Sequence, residues 1–331
     1  MNFSNTKPIL ITCVSGFIGS RIAEILLSND HSVVGIDDNN NFLYNNTFKR
    51  YRLAKLKTFS NFIFHKCNIL EKPLTEILSK YYFETIFHLA GHAGIRTSID
   101  KPEAYFQTNT MGTLNILNAV LSTNKTKYKC RISNIIFAST SSVYGNNTPP
   151  FDETQKTDVQ LSPYSASKKS AEILLTTYNS LYEINTSILR YFTVYGPAGR
   201  PDMSILRFIH NIFNDIPITV FGDGEQKRDF THIEDIANGS ISAMNQSGFN
   251  VFNLGSDRPI KLSYVIKLIE NFADKTANIK YEERHSADIL ETWANINKAK
   301  QVLKWEPKFS IENGIKETVE WYKMNKDWIK M

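Results

Sequence analysis

A tyrosine and a lysine one helical turn apart, Tyr164 and Lys168, carry the first chemical signal in this chain. They lie in Ser162-Pro163-Tyr164-Ser165-Ala166-Ser167-Lys168-Lys169, which runs into the helix-forming stretch Ser170-Ala171-Glu172-Ile173-Leu174-Leu175. Pro163 suits a first helical turn, where a missing N–H costs nothing, and Ser162 suits the N-cap. At i and i+4 the two side chains share one helix face. Tyrosine, with a reference pKa of about 10, is a poor base at neutral pH, and a lysine cation one turn away favours the phenolate. Such a pair can remove the proton of a substrate hydroxyl, the proton half of an alcohol oxidation. The same spacing also arises as an exposed pair on an amphipathic helix, so its surroundings decide. Upstream, Phe137-Ala138-Ser139-Thr140-Ser141-Ser142-Val143-Tyr144-Gly145 places four hydroxyl residues at the end of an apolar run. Hydroxyls donate and accept, so Thr140, Ser141 and Ser142 can hold a substrate hydroxyl and relay its proton to a tyrosine. Alternatively they satisfy their own backbone.

These residues need elements that aim them at a common point. Pro8-Ile9-Leu10-Ile11-Thr12-Cys13-Val14 reads as a strand buried on both faces. Ser15-Gly16-Phe17-Ile18-Gly19-Ser20 is a glycine turn, and residues 21–27 have helical periodicity. Strand, turn and helix in that order present backbone N–H groups and a helix N-terminus to a pyrophosphate. The next strand, 32–37, ends in Asp37. A carboxylate about twenty residues past the turn suits the ribose hydroxyls of NAD and repels the extra phosphate of NADP. The turn usually has an earlier third glycine, and here that position is Cys13. Either the cysteine adopts an allowed conformation and narrows the pocket, or dinucleotide binding is impaired.

The alternation continues with strands over 61–69, 85–90, 132–139 and 186–192 and helices over 74–82, 102–121 and 164–183. It predicts an α/β fold, a doubly wound parallel Rossmann sheet with ligands at the carboxyl ends of its strands. Segments 38–58, 146–161 and 196–202 read as loops by composition. Residues 1–192 form the NAD-binding domain. Residues 193–331 form mainly a smaller, mixed α/β substrate domain, part of 230–258 returning to the first.

Bulk properties exclude several classes. Among 331 residues, 42% are hydrophobic and 21% charged, the balance of an ordinary soluble protein. The net charge of +5 is spread without blocks, which argues against a dedicated nucleic-acid or membrane surface. Cys13, Cys67 and Cys130 form no CxxC, and a reducing cytoplasm is the simple inference. The polar N-terminus is no signal peptide, and no apolar run spans a membrane. No metal-ligand pattern stands out.

Taken in order, Gly16-Phe17-Ile18-Gly19, His88-Leu89-Ala90, Thr140-Ser141-Ser142-Val143-Tyr144-Gly145, Tyr164-x-x-x-Lys168 and Lys227-Arg228-Asp229-Phe230-Thr231-His232-Ile233-Glu234-Asp235 resemble the extended short-chain dehydrogenase/reductase family, and within it the nucleotide-sugar epimerases. Residues 39–56, Ala93-Gly94-Ile95-Arg96-Thr97-Ser98, 189–197 and Gly199-Arg200-Pro201-Asp202-Met203 look more particularly like UDP-glucuronate 4-epimerases. Ser141 and Ser142 stand where 4,6-dehydratases place Asp-Glu, and Ser142 replaces the glutamate of the decarboxylases. Thr193 stands where neutral-sugar epimerases usually carry Asn.

The resemblance implies NAD-dependent C4 epimerisation of a UDP-uronic acid, with Tyr164, Lys168, Thr140, Ser141 and Ser142 catalytic. It assigns the cofactor to Gly16, Phe17, Ile18, Gly19, Asp37, Asp38, Asn68, Ile69, Leu89, Ala90, His92 and Tyr191 besides Tyr164 and Lys168. Asn68 replaces a customary aspartate and His92 a customary Gln or Lys. For the UDP-sugar it implies Arg96, Asn109, Thr193, Arg200, Phe221, Arg228, Arg284 and Asp288, with Asn109, Arg228, Arg284 and Asp288 at the diphosphate and ribose. Helices 102–121 and 164–183 imply a homodimer. The rivals are a neutral or N-acetylated UDP-sugar 4-epimerase, a UDP-glucuronate decarboxylase, and a catalytically inactive nucleotide-sugar or dinucleotide-binding module.

Overall fold

All four residues of β1 (Ile9–Thr12) are buried, as a strand covered on both faces requires. A turn leads into α1 (Phe17–Ser28), whose Ile22, Ala23, Leu26 and Leu27 are buried at helical spacing. Then come β2 (Val33–Asp37), α2 (Thr47–Leu56), β3 (Phe62–Lys66), α3 (Pro73–Lys80) and β4 (Thr85–His88). Beyond β4 lie α4 (Ile95–Asp100), α5 (Pro102–Tyr105) and, after a wider π turn at Phe106–Met111, α6 (Gly112–Thr126). β5 (Asn134–Thr140), α7 (Pro163–Tyr182) and β6 (Asn185–Tyr191) follow. Ser162 caps α7, its hydroxyl accepting from Ser165 N while Ser165 Oγ accepts from Ser162 N.

The remainder comprises β7 (Thr193–Tyr195), α8 (Ser204–Phe213), β8 (Ile218–Phe221), β9 (Lys227–His232), α9 (Ile233–Ser242), β10 (Phe249–Leu254), β11 (Pro259–Lys261), α10 (Leu262–Ala273), β12 (Ile279–Glu282) and α11 (Ile311–Asn325). This computed structural model describes residues 7–126, 132–283 and 290–331. The main sheet has the order β10-β6-β5-β4-β1-β2-β3, all pairs parallel. Strand order reverses between β1 and β4, which opens a crevice at their carboxyl ends. Two apolar layers cover its faces, one built around α1 and Trp305, the other around α3, α6 and α7. A third core, around α8, α10 and α11, supports two small sheets, β11-β9-β7 and β12-β8. Among the described residues no helix is long and apolar enough to cross a membrane.

The doubly wound α/β architecture is as the sequence predicts, with local corrections. Segment 38–58 is not all loop, because α2 occupies its second half. Its composition hides it: Lys49 and Arg52 are buried positions of that helix, held by polar partners rather than by an apolar stripe. The polar strand β9 and the short α4 also carry no clear periodicity. β10 pairs with β6 at the edge of the main sheet.

Candidate active site

The turn after β1 is built around a residue of unusual conformation. Cys13 has φ +56°, the left-handed region where glycine is normally required. Its carbonyl accepts Gly16 N (3.0 Å). A Cβ on Gly19 would collide with that carbonyl, and one on Gly16 would lie 2.6 Å from the Cys13 thiol, so both glycines are sterically required. Burial, with the Asp37 carboxylate nearby, pushes the thiol up to about 12, so it is neutral. No side chain caps α1, which leaves its first N–H groups open to an anion. Asp37 sits at the end of β2, accepting Ser15 N (3.2 Å) and Asn39 N (2.8 Å), with the Lys49 ammonium 3.8 Å away. Asp38 closes a turn onto Asn40, and the Asn68 amide oxygen accepts Leu70 N (3.0 Å). Phe17 is buried with the Arg52 guanidinium 5.6 Å from its ring centroid, Ile18 packs on the first core, and Ile69 packs in the second. These residues fit a dinucleotide: a glycine turn, an uncapped helix and an acid at the adjoining strand end.

A buried chain of polar groups fixes the ends of β1 and β4. Thr12 Oγ1 accepts both Leu89 N (3.0 Å) and Ala90 N (2.8 Å), so its own proton goes to His88 Nδ1 (3.0 Å). His88 Nε2–H then donates to Thr113 Oγ1 (3.0 Å), whose proton goes to the Asn109 carbonyl (2.6 Å). Burial depresses His88 to about 3, consistent with this neutral tautomer. Asn109, expected at the diphosphate and ribose, is bonded within the protein here. It is fully buried; its Oδ1 accepts His92 N (2.7 Å) and its Nδ2 donates to His92 O (3.0 Å) and Ser167 Oγ (2.9 Å). Ser167 Oγ donates to Tyr164 O (2.8 Å), so the Asn109 amide braces α7. The Tyr191 hydroxyl pairs with Ser240 Oγ at 2.8 Å. His92 stacks on Phe42 (3.8 Å between centroids) and lies edge-on to Tyr105, which in turn meets Tyr164 at 6.1 Å.

Tyr164 lies on α7 opposite the end of β5. Burial raises its pKa, opposed first by a hydrogen bond with Thr140 and then by the Arg200 charge. The Lys168 ammonium, one turn along α7, donates to the Ala138 carbonyl (2.8 Å). Burial lowers Lys168 to about 8, with Glu172 acting against that fall. Thr140 Oγ1 accepts Ser142 N (3.1 Å), and Ser141 and Ser142 open a single 3-10 turn with half-buried side chains.

The opposite wall is cationic. Arg96, Thr193, Phe221, Gln226 and Arg228 are among the residues lining a cavity of about 240 Å³. The Arg96 guanidinium lies 3.7 Å from the Phe221 ring centroid, and Arg228 Nη1 donates to the Lys227 and Leu290 carbonyls. Thr193 and Arg200 line a smaller pocket together with Phe17 of the dinucleotide turn. Arg200 is paired side-on with Asp202, which strengthens its charge. Arg52 joins the two walls, donating to the carbonyls of Ala198 and Gly199 on one side and Ser15 on the other. Arg284 and Asp288 lie outside the described residues. Sequence reasoning gave no role to Arg52 or Tyr105; the signal for Arg52 was its place in the 39–56 stretch that resembles the UDP-glucuronate 4-epimerases. No group of three or more His, Cys, Asp or Glu among the described residues could hold a metal ion.

A parallel doubly wound sheet, a glycine turn at its switch point and a Tyr–Lys pair facing a serine-rich strand end define a dinucleotide-dependent redox site beside a cationic cavity. The chain belongs to the GDP-mannose 4,6 dehydratase family, matching it over residues 10–318. It is 45% identical over 323 residues to a UDP-glucuronate 4-epimerase of Thermodesulfobacterium geofontis, covering 97% of this chain and 98% of that one. Its structure resembles the Bacillus cereus UDP-glucuronic acid 4-epimerase in complex with UDP-glucuronic acid and NAD, with a TM-score of 0.89, 34% identity, and coverage of 96% and 99%. It is similar also to a Thermotoga maritima UDP-glucose 4-epimerase with UDP-glucose, with a TM-score of 0.86, 28% identity, and coverage of 96% and 99%.

Proposed function

We propose that this protein inverts C4 of UDP-glucuronate, giving UDP-galacturonate through a transient 4-keto sugar with NAD as resident cofactor. The observation that supports the reading is a tyrosine whose phenolate is favoured by Thr140 and by the charge of Arg200, which lines a pocket with Thr193. A proton acceptor, a hydroxyl relay and a carboxylate partner thus serve one sugar ring. NAD supplies hydride acceptance from C4 and its return to the opposite face. Tyr164 takes the O4 proton and gives it back; Thr140, Ser141 and Ser142 position O4 and share that proton. Lys168 holds positive charge behind the tyrosine. A 4-keto uronate is a β-keto acid prone to lose carbon dioxide. Thr193, Arg200 and Ser142 hold its carboxylate out of line with the carbonyl while the sugar turns. Dehydration, the reaction that names the family, lacks its acid–base pair here because serines occupy 141 and 142.

Gly16, Phe17, Ile18, Gly19, Asp37, Asp38, Asn68, Ile69, Leu89, Ala90 and His92 form the cofactor wall. Residues 193–331 hold most of the UDP moiety, through Phe221 and Arg228 with Arg96 reaching over from the other part of the chain. A homodimer through α6 and α7 would cover Met111, Ile173 and Leu181, which are exposed apolar residues on those helices and the turn before them. The cysteine usage fits a cytoplasmic enzyme. Purified protein incubated with UDP-glucuronate should form UDP-galacturonate without added reductant, read by chromatography or NMR. Turnover of only UDP-glucose or an N-acetylated UDP-sugar, or a pentose nucleotide with carbon dioxide as main product, overturns the reading.

A further inference from the structure

Behind Lys168 lies a buried ionic network that the proposed reaction leaves unused. Glu172 follows Lys168 by one turn on α7. Its Oε1 accepts from Ser139 Oγ (2.6 Å) and Arg190 Nε (3.1 Å), and its Oε2 from Arg190 Nη2 (2.9 Å) and Lys169 Nζ (3.4 Å). Glu172, Arg190 and Ser139 are only 3%, 4% and 4% exposed. Ser139 and Arg190 are register partners on β5 and β6, and Arg190 pairs onward with Asn253 on β10. The Arg190 guanidinium lies 4.8 Å from the Tyr144 ring centroid, and the Tyr144 hydroxyl donates to Asn253 Oδ1 (2.7 Å). One carboxylate therefore ties α7 to adjacent strands of the main sheet.

Its attachment point is chemically specific. Ser139 stands between Ala138, whose carbonyl receives the Lys168 ammonium, and Thr140, which favours the Tyr164 phenolate. A side-on guanidinium–carboxylate pair fixes direction as well as distance. A buried ion pair is weak evidence for stability, since apolar residues of similar volume often replace it without loss. Its position under the Tyr–Lys pair has a different consequence. We propose that Glu172 is a positioning residue for Lys168: through Ser139 and Arg190 it holds the Ala138 carbonyl against the ammonium, and it sets a negative charge one turn behind it. The groups facing Lys168 from other elements are the neutral thiol of Cys13 after β1, the neutral rings of His88 and His92 at and after β4, and the Phe137 ring of β5 at 4.8 Å. Among these neighbours Glu172 supplies the standing negative charge.

This inference rests on reading Tyr164 and Lys168 as the proton-transfer pair. The test uses the full-length holoenzyme as wild type, Glu172→Gln and the double variant Glu172→Met/Arg190→Met. Removing the carboxylate favours loss of the Lys168 proton, so the upper limb of the kcat–pH profile should move down by about one unit in E172Q. With lysine labelled at the ε-carbon, the Lys168 resonance, assigned by Lys168→Arg, should titrate lower by a similar amount. The double variant removes both charges and should keep near-wild-type thermal stability while losing tenfold or more in kcat with little change in KM. It decides the matter if E172Q does not fold. Unchanged pH limbs and an unchanged Lys168 titration, with only thermal stability reduced, assign Glu172 a purely structural role and overturn the proposal. Wild-type kcat and wild-type titration in the double variant do the same. Absence of epimerisation by the wild type sinks the functional reading alone, because the lysine titration needs no turnover.

Discussion

The two walls of the cleft handle charge in opposite ways. On the cofactor wall, ionisable groups are neutral or already matched: the Cys13 thiol is protonated, His88 is an uncharged link between two threonines, and Asp37 lies near Lys49. On the wall proposed for the sugar, Arg96, Arg200 and Arg228 line cavities together with Phe221 and Thr193. The polar groups of the first wall are bonded within the protein. The second carries long cations, such as Arg200 beside Asp202. This difference suits a reaction in which a dinucleotide stays in place while a dianionic sugar nucleotide enters, turns and leaves.

The largest effect should come from breaking the sugar wall. Arg200→Gln removes the proposed carboxylate partner together with a charge that favours the Tyr164 phenolate. Losing a charge-assisted contact costs about 2–3 kcal/mol, roughly 100-fold in kcat/KM for UDP-glucuronate. Any slow turnover of UDP-glucose falls only by the share that acts through Tyr164, so the ratio of the two losses isolates the carboxylate contact. More pentose nucleotide among the products should accompany it, as the keto acid loses its restraint. Equal losses on both sugars, with no change in products, remove Arg200 from the carboxylate.

A change in the cofactor wall should appear in stability against pH. Burial, with the Lys168 charge, pushes His88 down to about 3 in the native state, against about 6.5 in an unfolded chain. Below the unfolded value the unfolded chain binds a proton that the native protein refuses. Stability from this group is therefore complete above about pH 6.5 and is lost as pH falls towards 3, by up to about 1.4 kcal/mol per unit. Urea unfolding between pH 4.5 and 6.5 should show that slope reduced by about one proton in His88→Gln. An unchanged slope means the imidazole is not held neutral between Thr12 and Thr113.

How far these walls were legible in the sequence follows the same division. Strand, glycine turn and helix announce themselves through apolar runs and spacing, so the sheet and its switch point could be read from Ile9 to Asp37. Helix α2 escaped because two of its buried positions are Lys49 and Arg52, which are inside for polar reasons. Strand β9 opens with Lys227-Arg228-Asp229 and shows no alternation, although Asp229 is wholly buried and receives the N–H groups of Ser256, Asp257 and Ala294. For Asn109 a sequence shows a donor and an acceptor but not that both ends of the amide are bonded internally. Glu172 reads as an ordinary helix glutamate. Only the fold brings Arg190 to it from 18 residues away.

The smallest effect, and the one that sharpens the comparison most, concerns Cys13. Its left-handed backbone costs about 1–2 kcal/mol in a residue with a side chain. Cys13→Gly removes that strain but gives the unfolded chain more freedom, roughly 0.5–1 kcal/mol in the other direction. Stability should change by no more than about 1 kcal/mol. Affinity for NAD is the cleaner reading. The thiol occupies the space where a Cβ on Gly16 would lie, beside the uncapped start of α1 that would face a pyrophosphate. Removing it should tighten NAD by up to about tenfold, or 1.4 kcal/mol, in calorimetric titration of protein freed of its cofactor. Unchanged or weaker binding would show that the side chain lines the turn without intruding on it. The cofactor wall would then tolerate a cysteine at this glycine position, because its carbonyl and backbone angle, not its side chain, do what the turn requires.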